Sequence, residues 1–349
     1  MINVRNIYHM LAYAYTALRP AGYRKVCTEE FEHVGDLYAA ILIKGMQDQL
    51  KRGVVRCYTD QEEEMSCLRG KLLIGETLRN QSLRRGRAVC RHSEFTEDNE
   101  MNRILCSTAE HLARTGIADG RKKQLHGLLQ HFPHVTRIPL QRINWKLRFN
   151  RQNKTYQMLI GICKLVVHGL LQGEQEGDNT LMAFEDEQQM SRLYERFILE
   201  YYRTTYPALE VSAAHIDWHI EEGDSSLLPT LRTDITIRSK PREKTLIIDA
   251  KYYTHILKEY YGAARHDRAN LTQILNYVDQ ESHAAPGEQV TGMLLYAGTD
   301  ESQCVEKEFV TCGKRIDIRI LDLDADFSRI QAQLDAIIYR YFPAARTTA

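Results

Sequence analysis

One short segment places two charged residues directly after a predicted buried strand. Leu246, Ile247 and Ile248 form an apolar run, and Asp249 and Lys251 follow it. Side chains two positions apart on a strand point to the same face, so Asp249 and Lys251 are expected to be neighbours. Burying such charges costs free energy unless they meet an opposite charge or another compensating group. The predicted strand must therefore end at a polar site.

A second predicted strand brings another carboxylate to the same place. Residues 231–238 alternate apolar and polar side chains, and the link 239–244 has the length of a hairpin turn. Antiparallel pairing of the two strands would bring Asp234 beside Asp249 and Lys251. The sequence thus predicts two carboxylates and a lysine at one end of a sheet.

These residue types indicate phosphodiester hydrolysis. Mg²⁺ prefers oxygen ligands and takes only one or two protein carboxylates, and a bound metal activates water for attack on phosphorus. We expect Asp234 and Asp249 to be the ligands, with the backbone carbonyl of Ala250 as a third. Lys251 would orient the nucleophile and stabilise the charge that grows on the phosphate. The alternative is a structural Asp–Lys ion pair at a sheet end, because Asp-x-Lys is common by chance.

The pattern resembles the PD-(D/E)XK nuclease superfamily, whose core is a mixed sheet flanked by helices. In this sequence the nominal proline of the motif is displaced to Pro229. The resemblance implies that Glu195, in a predicted helix over 187–202, reaches the metal directly or through water. It also implies that Gln273, in a predicted helix over 270–278, contacts the DNA backbone or positions water. A solvated helix face is the alternative for Glu195, and an ordinary exposed side chain for Gln273.

Further matches along the chain resemble the McrC family, the nuclease subunits of the modified-cytosine restriction system McrBC. Members of that family cut DNA and stimulate an AAA+ GTPase, which reads modified cytosine and translocates. The resemblance therefore implies an McrB-like AAA+ GTPase hexamer as partner, double-stranded DNA with modified cytosine as substrate, and Mg²⁺ as cofactor. The matching segments are 4–14, 68–71, 99–104, 163–166, 233–238 and 248–253.

The length predicts two domains, and the predicted elements together with the resemblance imply the α/β class (α+β overall). A chain of 349 residues suits two domains, and the polar stretch 172–179 indicates a boundary. We expect residues 1–172 to form a mixed module of helices and short strands, the last of these strands near 136–149, and the resemblance implies that this module engages the GTPase. Residues 173–349 would form the PD-(D/E)XK nuclease domain. The 46 basic and 46 acidic residues balance, whereas a self-sufficient DNA-binding protein is usually basic.

Several other functions and locations are disfavoured. The sequence lacks the phosphate-binding motif G-x-x-x-x-G-K-[ST], so we expect this chain to bind no nucleotide. Its eight cysteines include no C-x-x-C pair, which argues against zinc fingers and for a reducing, cytoplasmic location. No apolar run is long enough to predict a membrane span, so we expect no membrane association.

Two functions remain in competition. The favoured one is a Mg²⁺-dependent DNA endonuclease subunit that works with an AAA+ GTPase. The alternative is a non-catalytic adaptor that only stimulates the motor and has a degenerate nuclease fold. The presence of Asp234, Asp249 and Lys251 together favours the enzyme.

Overall fold

The computed structural model is a mixed α/β structure that divides into two compact units. It describes residues 4–15, 29, 31, 33–150, 153–176, 187–223, 227–252, 258–260, 263–265, 268–298 and 306–347. One unit combines residues 1–32 with residues 184–349, and the other contains residues 33–183. This division differs from the expected domains 1–172 and 173–349, because the start of the chain belongs to the C-terminal unit.

The first helix, α1 (Val4–Ala14), explains that difference. Its side chains Ile7 and Leu11 are buried. The buried Asn6 amide donates hydrogen bonds to the carbonyl oxygens of Leu323 and Ala325, both at 2.8 Å. Since a buried amide without partners would cost free energy, these bonds fix α1 to the C-terminal unit.

The unit of residues 33–183 packs helices beside a small antiparallel sheet. In the sheet, β3 lies between β1 and β2. Between the helices, the buried Tyr156 hydroxyl donates to Asn102 Oδ1 at 2.6 Å. The elements are α2 (Val34–Arg52), β1 (Cys57–Met65), β2 (Lys71–Leu72), α3 (Ile74–Arg79), β3 (Ala88–Thr96), α4 (Glu100–Leu112), α5 (Asp119–Leu129) and α6 (Lys154–Glu176), with 3₁₀ turns at Ser82–Arg85 and Leu140–Arg142.

Two expectations for this unit are wrong. The predicted strand near 136–149 is an irregular segment with one 3₁₀ turn, because its backbone bonds to side chains and not to a neighbouring strand. The N–H of Thr136 donates to Asp98 Oδ1, and that of Ile138 donates to Ser107 Oγ, both at 2.9 Å. The predicted polar linker also begins too early, since α6 continues to Glu176. Residues 177–179 of that stretch lie outside the described residues.

The C-terminal unit is built on a six-stranded mixed sheet. Its order is β12-β13-β11-β8-β7-β4. Strands β8, β11 and β13 are parallel, whereas β4, β7 and β12 pair antiparallel with their neighbours. The elements are α7 (Glu187–Thr205), β4 (Glu210–Ser212), β5 (His215–Ile216), β6 (Leu231–Arg232), β7 (Ile235–Arg238), β8 (Lys244–Lys251), β9 (Lys258–Tyr260), β10 (Ala263–Arg265), α8 (Arg268–Ala284), β11 (Gln289–Gly298), β12 (Lys307–Thr311), β13 (Lys314–Asp322) and α9 (Phe327–Tyr341), followed by a 3₁₀ turn at Pro343–Thr347.

Strand β8 lies inside this sheet and is buried from Thr245 to Ala250. On one face, Ile247 packs with Ile274 of α8 in the apolar core. Helix α8 comes close because β11 carries Gly292, where an added Cβ would lie 2.8 Å from Ile274 Cγ1. The close packing of α8 matters for function because this helix carries Gln273.

Helices α7 and α9 are joined by buried tyrosines. The Tyr202 hydroxyl donates to the Leu334 carbonyl at 3.1 Å, and the Tyr201 hydroxyl donates to Asp335 Oδ1 at 2.7 Å. Hydrogen bonds of this kind let large aromatic side chains be buried without leaving a polar atom unpaired. They hold α7, and with it Glu195, in one position.

None of the helices described by the structure is long and apolar enough to cross a membrane.

Candidate active site at the end of the central strands

The predicted hairpin is present, and it brings the two aspartates together. Strands β7 and β8 pair antiparallel with Ile235 opposite Ile248. One step further along this register, Asp234 falls opposite Asp249. The N–H of Ala250 donates to Asp234 Oδ2 at 3.0 Å, which fixes the Asp234 carboxylate against the end of β8.

The predicted strand over 231–238 is interrupted at the site. It divides into β6, which pairs with β5, and β7, which pairs with β8. The buried Thr233 causes the break, because its hydroxyl oxygen accepts a hydrogen bond from the Ala214 N–H at 3.1 Å and lies 2.8 Å from Thr236 Oγ1. Asp234 thus stands at the start of β7, where its side chain turns towards β8.

Asp249 is the most deeply buried carboxylate of the site. Its side chain is 1% exposed, and its carboxylate lies beside Lys251 and Asp234. Lys251 Nζ lies 2.9 Å from Asp249 Oδ2, which is an ion-pair distance. The Asp–Lys pair of the structural alternative is therefore present, yet one lysine balances the charge of only one of the two neighbouring carboxylates.

A chain of hydrogen bonds positions Lys251. Its Nζ donates to Gln273 Oε1 at 3.2 Å. Gln273 Nε2 donates to the Tyr277 hydroxyl at 2.9 Å, and that hydroxyl donates to the Arg232 carbonyl at 3.0 Å. Gln273 is thus not an ordinary exposed side chain: it connects Lys251 to a buried tyrosine of the same helix.

Glu195 approaches from α7. Its carboxylate accepts a hydrogen bond from Ser191 Oγ at 3.0 Å and is partly buried. Burial raises the pKa of Glu195, and the negative charge of Asp249 adds to the rise, whereas Ser191 and Lys251 oppose it. Glu195 therefore belongs to the electrostatic environment of the aspartates and is not a freely solvated helix residue.

Burial and mutual repulsion shift the ionisation of both aspartates. Desolvation raises the pKa of Asp234 to about 8, and the charges of Asp249 and Glu195 contribute to the rise. Burial also raises the pKa of Asp249, although Lys251 opposes it. Two neighbouring carboxylates in a buried site tend to hold a proton between them.

The donor atoms fit a hard divalent cation. Two adjacent carboxylates and a backbone carbonyl are oxygen ligands, which Mg²⁺ prefers while keeping several waters. An additional positive charge would also relieve the repulsion that raises the pKa of Asp234. Within the described part of the chain, no three His, Cys, Asp or Glu side chains converge as a metal-binding group. Asp234 and Asp249 could hold the ion, and the position of Glu195 suits contact through water.

Sequence reasoning missed a cleft beside Asp234. The cleft has a volume of about 490 Å³, and we call it the arginine cleft. Its arginines come from α7 and from β6, so only folding brings them together. No motif marks them, although Arg192 and Arg196 are spaced to share one face of a helix. The charged residues that line the cleft are Arg192, Glu195, Arg196, Glu200, Arg232 and Asp234.

Comparison with known proteins decides the family. The family described as McrBC 5-methylcytosine restriction system component matches residues 3–297. The chain belongs to this family. The type IV methyl-directed restriction enzyme EcoKMcrBC of Escherichia coli (strain K12) is 28% identical to it over 347 residues, which cover 98% of each chain. The family match includes all the site residues considered above.

Solved structures from Thermococcus gammatolerans are also similar. A refined half-complex from a tetradecameric assembly of McrB AAA+ hexamers with bound McrC is 20% identical, covers 96% of this chain and 76% of that chain, and gives a TM-score of 0.49. A cryo-EM structure of the McrBC complex is 21% identical, covers 58% of each chain, and gives a TM-score of 0.38.

The raised pKa of Asp234 predicts how the stability of the metal-free protein depends on pH. The folded protein keeps a proton that the unfolded chain releases above about pH 4, so stability falls as pH rises towards 8. Asp234→Asn removes this effect. In EDTA, we expect the melting temperature of Asp234→Asn minus that of the wild type to rise by at least about 3 °C from pH 5 to pH 8.

The exposed Asp217 provides the matched control. Asp217→Asn should track the wild type across the same pH range. A constant difference between Asp234→Asn and the wild type at all pH values would contradict the shifted ionisation.

Proposed function

We propose that this chain is the Mg²⁺-dependent endonuclease subunit of a modified-cytosine restriction system and has a PD-(D/E)XK nuclease fold in its C-terminal unit. One observation carries the proposal: the buried Asp249 carboxylate lies beside a lysine and a second carboxylate, Asp234, whose pKa is raised. A fold keeps such an arrangement at a cost in stability, which a bound cation would offset. Because the chain belongs to a restriction-system family, we propose DNA as its substrate.

Each side chain receives a role that follows from its contacts. Asp234 and Asp249, with the Ala250 carbonyl, would hold Mg²⁺. Held there, Mg²⁺ would supply polarisation of the phosphoryl oxygen and a lower pKa for the attacking water. Lys251 faces the same carboxylates and donates hydrogen bonds, so it would stabilise the charge that develops on the phosphate.

Two residues assist from the flanking helices. Gln273 accepts a hydrogen bond from Lys251 and is itself held by Tyr277, so it would keep the ammonium group directed at the site. Glu195 would accept hydrogen bonds from water at the site. Neither of these residues is required for the two aspartates to meet, so their loss should be less severe than loss of a ligand.

The alternative is a non-catalytic adaptor that only stimulates the AAA+ motor. Such a protein would have no reason to retain a buried carboxylate pair with a raised pKa. The completeness of the site therefore favours the enzyme.

We further propose that residues 33–183 carry the interface with an McrB-like AAA+ GTPase hexamer. The segment around α3 exposes large apolar side chains, which are unusual on a surface that stays in water. Arg84 and Arg87 are exposed nearby, and their guanidinium groups form no ion pair within the described residues. The apolar residues are Leu68, Ile74, Leu78 and Leu83, each at least 61% exposed.

Substitution of the site residues should abolish cleavage of methylated DNA by the complex with its GTPase partner. Asp234→Ala, Asp249→Ala and Lys251→Ala each remove a preorganised charge, so we expect losses of at least about a hundredfold. Gln273→Ala and Glu195→Ala should cost about tenfold to a hundredfold, because they act through other groups. The measurement is the rate of DNA cleavage with Mg²⁺, together with GTP turnover by the partner.

The control is Asp217→Ala, which removes an exposed carboxylate of the same unit and should cut normally. GTP turnover should stay unchanged in every variant. Wild-type cleavage by Asp249→Ala would remove the assignment of the site, and stimulation of GTP turnover without any cleavage by the wild type would favour the adaptor.

A fragment of residues 33–183 should fold and stimulate GTP hydrolysis by the partner without cutting DNA. It is a compact unit with its own buried residues. The double variant Arg84→Glu/Arg87→Glu should weaken the association, whereas Lys123→Glu, an exposed cation of α5, should not. If the folded fragment gives no stimulation, the activating surface lies in the other unit.

A further inference from the structure

The arginine cleft has a composition that the proposed metal site does not explain. A metal site made of carboxylates needs one cationic side chain nearby to stabilise the charge on the phosphate, and Lys251 already supplies it. The cleft adds Arg192, Arg196 and Arg232 at the side where Asp234 stands. Its volume of about 490 Å³ leaves room for a group larger than a few waters.

Two of these arginines form no contact ion pair in the part of the chain that the structure describes, although Arg192 lies close enough to Glu195 to lower the pKa of that carboxyl. Within the described residues, the guanidinium groups of Arg192 and Arg232 form no ion pair or hydrogen bond, although both side chains are exposed. By contrast, Arg203 on the same helix is paired with Glu200 at 2.6 Å. Unpaired arginines inside a cleft are available to an external anion.

The third arginine is positioned by the residue that follows α1. The Arg196 guanidinium lies over the ring of Tyr15, 4.7 Å from its centroid. A cation held over an aromatic ring keeps its hydrogen-bond donors free at the rim of the guanidinium plane. Arg192 and Arg196 are four residues apart on α7, so they project from the same face of the helix.

The charge of the cleft depends on whether the metal site is filled. Glu200 is already neutralised by Arg203. Glu195 and Asp234 face the proposed ion, which would compensate their charge. With Mg²⁺ bound, the positive charge of the arginines in the cleft would therefore be uncompensated. The ligand of the cleft should then be an anion that is part of the substrate.

We propose that the arginine cleft binds a DNA backbone phosphate that neighbours the scissile phosphodiester. Arg192 and Arg232 would donate to the phosphate oxygens, with Arg196 as a third cation held by Tyr15. Arginine suits this role because its planar donors match the phosphate oxygens. The inference rests on the proposed nuclease function and makes these arginines positioning residues for the substrate.

The test compares Arg192→Gln/Arg232→Gln with the wild type in the full chain assembled with its GTPase partner. The probes are DNA duplexes with methylated cytosine. One probe has an unmodified backbone, and each of the others carries one neutral methylphosphonate at a different backbone position around the cut. The matched control is Arg242→Gln/Lys307→Gln, which removes two exposed cations outside the cleft. Cleavage is followed in single turnover with Mg²⁺, and binding is followed with Ca²⁺ in its place.

The cleft variant should need about tenfold more DNA for half-maximal cleavage, and the salt dependence of its binding should be weaker by about one unit of slope per lost contact. Its maximal rate should fall less than its apparent affinity, because Mg²⁺ ligation is intact. One methylphosphonate position should weaken binding of the wild type and of the control while leaving the cleft variant unaffected. Partner GTP turnover and thermal stability should be unchanged.

The outcomes separate the two proposals. If the wild type cuts and the cleft variant binds and cuts like it with every probe, the cleft proposal is overturned and the nuclease stands. If the wild type binds DNA but cuts none, the nuclease proposal fails. The methylphosphonate pattern of binding then still decides whether the cleft contacts a phosphate. Loss of partner association with intact DNA binding would assign the cleft to an acidic protein surface and overturn the inference.

Discussion

The burial of the Asp249 carboxylate at the end of β8 is the constraint on which the rest of the site depends. A carboxylate that is 1% exposed is costly to bury, and the Lys251 ammonium, 2.9 Å from Oδ2, compensates only one side of it. Apolar side chains bury both faces of β8, and this packing offsets the free-energy cost of burying the carboxylate. The Ala250 N–H donates a hydrogen bond to Asp234 and holds it beside Asp249. The end of β8 therefore carries a concentration of negative charge that favours binding of a cation.

The hairpin and its charged residues could be predicted from the sequence because they depend on short-range patterns. Strand alternation fixes the faces of Asp249 and Lys251, and the short link fixes the antiparallel pairing with the strand that carries Asp234. The helices with Glu195 and Gln273 follow from apolar periodicity and from the family resemblance. The roles of these residues stay predictions.

Long-range contacts were not predictable in the same way. Residues 1–32 were assigned to the N-terminal module, whereas Asn6 binds carbonyl groups of residues more than 300 positions away. The alternating segment 136–149 resembled a strand but satisfies its backbone through side chains of other elements, among them Asp98. The arginine cleft joins residues from α7 and β6, which no local pattern connects. Each failure concerns partners that only the folded chain brings together.

Metal binding by the full chain tests the central claim most directly. Titration calorimetry with Mn²⁺ in place of Mg²⁺ can compare the wild type, Asp249→Asn and Asp217→Asn at pH 8. Our account predicts one site in the wild type and in Asp217→Asn, and its loss in Asp249→Asn, because the amide removes the charge while keeping the shape. Equal binding by Asp249→Asn and the wild type would contradict the account, since the buried carboxylate would then serve no cation.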